Sequence, residues 1–209
     1  MLGVRSTAST LGIVLLGLDG EMCGSELDRG AVLVQIGAAF EDGSSFGAVI
    51  GWLEGSYFAT ERGMAAQGID PTVIAAVYPS NVVDQRLFVW LVEGLAARGL
   101  GGDAKRLVPV GFNVGAFDRP FLRAFLPLGY ALLRRRVIDL NAFCLTIAAR
   151  GVVCQGSRPK WSGWKRLVQA DAEARLRASG ESAVRHDARY EALCFLSEAM
   201  TNPLPPDQE

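Results

Sequence analysis

The apolar run LGIVLLGL (11–18) leads without a break into Asp19-Gly20-Glu21, and that junction sets the first limit on the fold. The run is far too short to span a bilayer, where a helix needs about 20 apolar residues. It suits a strand buried on both faces, the kind found inside a sheet covered by helices. Its end carries two carboxylates two positions apart. If the extended geometry persists through Gly20, both project from one face. Their repulsion there is usually relieved by a divalent cation. The pair Asp19-Gly20 reads equally well as an ordinary turn with Glu21 solvated.

Later segments supply partners for that strand. AVLVQIGAAF (31–40) and SSFGAVIGWL (44–53) are β-rich runs around the turn signal EDG, which predicts a three-stranded antiparallel meander. In 61–80, Gly68 and Pro71 break the chain into short helices. NVVDQRLFVWLVEGLAARG (81–99) places Val83, Leu87, Trp90, Leu91 and Leu95 at helical spacing before a closing glycine. RLVPVGFN (106–113) is a fourth strand, and DRPFLRAFL (118–126) a short helix with Pro120 in its first turn. RRVIDL (135–140) is a fifth strand, followed by a helix to about Arg150. Two further helices are expected in 163–178 and 186–200. Together these predict an α/β fold, a mixed five-stranded sheet flanked by helices. Residues 1–10 read as a leader, 11–200 as a single domain, and 201–209 as a frayed, disordered tail.

Half of the 209 residues are hydrophobic and the formal net charge is −1. That balance gives one globular core, and any nucleic-acid contact must come from a local patch rather than the molecule's overall field. Cys23, Cys144, Cys154 and Cys194 are scattered with no CxxC pair. The spacing argues against a zinc ribbon or a disulfide framework and for reduced thiols. With no cleavage pattern after the first apolar run, the sequence points to a soluble cytoplasmic protein without a membrane segment.

Two other acidic positions stand out. Asp118 opens a helix, and Phe121 and Leu122 at i+3 and i+4 put it on the apolar, inward side. The residue type and place also fit an N-cap. In AVRHDARYEALCF (183–195), Ala188, Ala192, Phe195, Leu196 and Ala199 form a core-facing stripe with Glu191 on it or at its edge. A desolvated carboxylate there costs several kcal/mol, so it needs a cation, an arginine or exposure. His186, the only histidine, would lie about 140° round a continuous helix from Glu191. To share a site with it, His186 must sit in the loop just before. Taken alone, a single histidine is more often structural than catalytic.

In order, Asp-x-Glu, Asp and His-x4-acid resemble the DnaQ-like (DEDDh) 3′–5′ exonucleases, which have a ribonuclease H-like fold. LDGEMCG (18–24) is similar to the first motif, most of all as oligoribonuclease carries it. GFNVGAFDRPFL (111–122) is similar to the second motif and RHDARYEAL (185–193) to the third. AAQGID (65–70) and RRRVIDLNAF (134–143) resemble connecting segments, so the likeness spans roughly 12–200. The family usually has Asp where this chain has Glu191, which keeps the charge but reaches one methylene further.

The resemblance implies two divalent ions, Mg²⁺ or Mn²⁺, held by Asp19, Glu21, Asp118 and Glu191, with His186 as general base. It implies release of nucleoside 5′-monophosphates from the 3′ end of short or single-stranded nucleic acid. Met22, Cys23 and Phe117 are expected against the terminal base, with Asn113 on the sugar or shaping the site. RPKWSGWKR (158–166) reads either as a single-strand-binding loop or as a solvated basic loop with core tryptophans. Oligoribonuclease-like relatives suggest a homodimer. The other function class open to the sequence is an impaired nuclease-fold module that binds a nucleic-acid end or a replication partner without cutting.

Overall fold

The computed structural model describes residues 12–52, 56–60, 78–101 and 106–140, with Ala174, Ala178 and Ala192. These residues build a five-stranded sheet in the order β3-β2-β1-β4-β5. Its strands are β1 (Val14–Met22), β2 (Leu33–Phe40), β3 (Ser45–Val49), β4 (Leu107–Gly111) and β5 (Ile138–Asp139). The first three form the expected antiparallel meander, and β4 and β5 add in parallel on the other side of β1. The sheet is therefore mixed, as the pattern of elements predicted.

Strand β1 decides between the two readings of Asp19-Gly20. The chain does not turn at Asp19-Gly20 but stays extended to Met22, with Asp19 opposite Gly37, Gly20 opposite Ile36 and Glu21 opposite Gln35. Strand β2 keeps pairing with this stretch, so its backbone groups are satisfied without a turn. The fifth strand is shorter than 135–140: only Ile138 and Asp139 pair, with Val110 and Gly111. Arg135 and Arg136 before it are exposed.

Helix α1 (Ser80–Ala97) buries Val83, Leu87, Leu91 and Leu95, a strict i, i+4 row. Trp90, half-buried, stacks on Phe40 with ring centroids 4.6 Å apart. A Cβ on Gly94 would lie 2.2 Å from the Phe40 ring, so the helix meets the sheet this closely only because position 94 is glycine. Beside that row, α1 also buries Asp84. Its carboxylate accepts the N–H groups of Leu128 and Gly129, at 3.0 and 2.9 Å.

Those two donors open a short helix that the sequence reading missed. The helix expected over 118–126 is α2 (Asp118–Phe125), and beyond it comes α3 (Pro127–Ala131), with proline in its first turn. Asp84 caps α3 from another helix, a contact between distant segments that no local pattern announces. A 3₁₀ turn at Leu27–Arg29 follows β1.

Among the described residues, no helix is long and apolar enough to cross a membrane. The leader, AAQGID, RPKWSGWKR, His186, Glu191, the other three cysteines and the tail lie outside the described residues. Of the stripe in the last expected helix, Ala192 is helical and fully buried.

Candidate active site

Strands β1 and β4 run parallel and last pair at Gly17 and Val110, after which β1 continues to Met22. The chain leaves β4 at Gly111 and re-enters regular structure at Asp118. The first residue of α2 thus lies at the carboxyl ends of adjacent parallel strands, where open α/β sheets place their ligands.

Between them the chain turns at Asn113, whose φ of 56° is left-handed. Asparagine tolerates this conformation better than most residues. The Asn113 carbonyl accepts the N–H groups of Ala116 and Phe117, at 3.0 and 2.8 Å. Its own N–H donates to Asp139 Oδ1 at 3.2 Å. Asp139 stands opposite Gly111 in the sheet, so the last residue of β5 pins the turn that leads to α2.

Asp118 is not the cap that its position suggested. Phe117 holds the N-cap place, no side chain caps the helix, and Asp118 is its first helical residue. Its carboxylate reaches β1 instead, where Oδ1 accepts the Gly20 N–H at 2.9 Å. Phe121 and Leu122 share its buried face, as the i+3, i+4 spacing predicted. A Cβ on Gly20 would stand 3.1 Å from Asp118 Oδ1 and 3.0 Å from Leu33 Cδ1, so glycine admits the carboxylate beside the strand.

Asp19 and Glu21 flank Gly20 on the opposite face of β1, half-buried both, and Asp19 Oδ2 is shielded from solvent. Burial pushes the Asp118 carboxyl up to about 7; the Gly20 hydrogen bond opposes this and the nearby charge of Asp139 adds to it. A carboxyl held there is poised between its two forms at neutral pH, and nearby positive charge would favour the ionised one. Carboxylate oxygens suit a hard divalent cation. Among the described residues, no three histidine, cysteine or acidic side chains are grouped closely enough to hold one. The other expected ligand, Glu191, and the expected base, His186, lie outside them.

Two of the residues expected against the base are buried. Met22 and Cys23 are 2 % and 0 % exposed and belong to the core beneath the site. The Cys23 thiol donates to the Phe58 carbonyl at 3.0 Å and accepts the Val32 N–H at 3.2 Å. Burial raises its pKa. Phe117 behaves otherwise: it is 38 % exposed, its ring 5.9 Å from that of Phe121. Asp139 is the site residue that sequence reasoning passed over. The available signal was an acid ending an apolar strand, as Asp19 does near the end of its own apolar run.

No family model matches the chain, and no curated protein matches it in sequence. Solved structures do. Escherichia coli exonuclease I in complex with a dA16 oligonucleotide is 15% identical over 89% of this chain, with a TM-score of 0.58. A zinc-bound exonuclease I–single-stranded DNA complex is 15% identical over 90%, with a TM-score of 0.59. A product-bound form is 13% identical over 89%, with a TM-score of 0.57. This chain spans about 40% of the exonuclease I chains. Exonuclease I is a DnaQ-like 3′–5′ exonuclease, and the likeness fixes the fold of this chain as ribonuclease H-like.

Proposed function

We propose that the chain is a metal-dependent 3′–5′ exonuclease that removes nucleoside 5′-monophosphates from short or single-stranded RNA or DNA. The observation that carries this reading is the hydrogen bond from Gly20 to Asp118. It sets a buried carboxylate from α2 against the strand segment that bears Asp19 and Glu21. The solved structures of the same fold that contain single-stranded DNA support it.

In this reading Asp19, Glu21, Asp118 and Glu191 hold two divalent ions, Mg²⁺ or Mn²⁺. When bound, these supply charge stabilisation for an in-line phosphoryl displacement and acidity to the attacking water. His186 accepts that water's proton as general base. Gly20 orients Asp118 through its N–H, and Asp139 holds the Asn113 turn from which Phe117 projects. The exposed Phe117 ring offers an apolar face for the terminal base, a contact that tolerates any base. The same reading places the protein in the cytoplasm, where a reduced thiol such as Cys23 persists, and as a homodimer.

Incubation of a 5′-labelled oligonucleotide with Mg²⁺ or Mn²⁺ tests the reading. A ladder shortened one nucleotide at a time from the 3′ end is expected. Tight binding with no ladder under either metal would instead favour a module that binds ends without cutting.

A further inference from the structure

A pocket of about 630 Å³ opens on the outer side of α2, lined by Gly115, Arg119, Arg123, Tyr130 and Arg135 among others. Arg119 and Arg123 are one helical turn apart and so share a face of α2. Arg135 joins them from the exposed segment before β5. Among the described residues, no ion pair involves any of these three guanidiniums. In a chain of net charge −1, that is a local concentration of positive charge.

Arg119 is held in place. Its Nη1 donates to the Arg135 carbonyl at 2.7 Å and its Nη2 to the Tyr130 hydroxyl at 2.9 Å. Arg123 and Arg135 are exposed, and their forks are available to a ligand. Guanidinium forks favour planar or tetrahedral oxyanions, which they grip through paired N–H donors. Gly115, in the turn that leads to Asp118, and Arg119 and Pro120, which follow Asp118, all line the pocket, so it lies against the start of α2 where Asp118 sits. A polyanion approaching that centre meets repulsion from Asp118, Asp139, Asp19 and Glu21. Unpaired guanidiniums next to it offset that repulsion and set the direction of approach.

Building on the exonuclease reading, we infer that this arginine pocket binds the phosphodiester backbone of the single strand, upstream of the 3′ end presented at Asp118. The ligand class is a run of backbone phosphates, contacted without regard to sequence. The carboxylate centre does the cutting, and the pocket supplies grip on substrates long enough to reach it.

The test is equilibrium binding of fluorescein-labelled single-stranded 4-mers and 16-mers to the full chain in EDTA, read by anisotropy across a salt series. Arg123→Ala/Arg135→Ala is the informative variant, since among the described residues neither side chain makes a hydrogen bond, whereas Arg119 is structural and stays. For the 16-mer, the variant should bind roughly 10-fold more weakly or worse, and the salt slope should fall by about 0.7 per lost phosphate contact. Hydrolysis of a dinucleotide, too short to fill both sites, should be unchanged in the variant. An unchanged Kd and salt slope would overturn the inference, as would absence of any wild-type oligonucleotide binding. Inorganic phosphate competing at low millimolar concentration would assign the pocket to the free ion. Preference for a glutamate oligomer of equal charge would assign it to acidic peptides. Either outcome refutes the backbone role. Because binding is read without metal, loss of hydrolysis with normal binding sinks the exonuclease reading and leaves the pocket standing.

Discussion

Gly20 and Asp118, 98 positions apart, are joined by a 2.9 Å hydrogen bond from the strand N–H to the carboxylate. The contact spans the gap where β1 outruns β4, and it brings an acid from a helix to the strand that carries two more. Gly20→Ala should separate fold from function here. The new methyl group would press on Leu33 and on Asp118 Oδ1. Because alanine suits a strand better than glycine, stability should change by no more than about 1 kcal/mol. Displacement of the carboxylate by a few tenths of an ångström should lower turnover roughly 10-fold or more. Denaturant melts and initial rates on one preparation check both halves.

Asp118 also makes stability depend on pH. In metal-free protein its carboxyl titrates at about 7, against about 3.9 when unfolded. The folded chain therefore keeps its proton to higher pH, and this group's contribution falls as pH rises from about 4 to 7. The slope is at most ~1.4 kcal/mol per pH unit. Asp118→Asn keeps an oxygen for the Gly20 N–H and removes the titration. In EDTA it should stabilise the protein more at pH 8 than at pH 5. An equal effect at both, in urea melts, would mean that the carboxyl titrates normally.

Asp139 contributes in two separable ways. Asp139→Asn keeps an acceptor for the Asn113 N–H but removes the charge that helps raise Asp118. The acid limb of the pH–rate profile should then move to lower pH with little loss at pH 8. Asp139→Ala loses the acceptor as well and should lower activity at every pH.

The third motif yields the sharpest kinetic contrast. His186→Ala should reduce turnover by roughly 10²–10⁴-fold while metal binding, followed by calorimetry, stays nearly intact. Glu191→Asp should preserve or raise activity. A loss on that shortening would mean that the centre is built around the longer side chain.

Much of this was legible in the sequence because it is periodic. The LGIVLLGL run, the meander and the i, i+4 row of α1 fix the sheet and its cover, and the i+3, i+4 neighbours of Asp118 fix its inward face. Whether Asp19-Gly20 turned or stayed extended was not legible, since that depends on how far β2 keeps pairing. Nor was the partner of Asp118, because a cap and a cross-chain hydrogen bond make the same local pattern. The burial of Met22 and Cys23 was not legible for a related reason. Met22 alternates into the core at the end of β1, and Cys23 after it is tied there by Val32 and Phe58. Asp84 and Asp139 both serve N–H groups on other segments, which only the folded chain brings to them.

The most direct measurement compares wild type with Asp118→Asn on a 5′-labelled single strand, across a Mn²⁺ titration. The wild type should give a 3′-shortened ladder whose rate rises with metal to a plateau. The variant, equally folded, should give essentially none at any metal concentration. A ladder of equal rate from both proteins, or none from the wild type, would contradict a carboxylate-held metal centre at Asp19, Glu21 and Asp118.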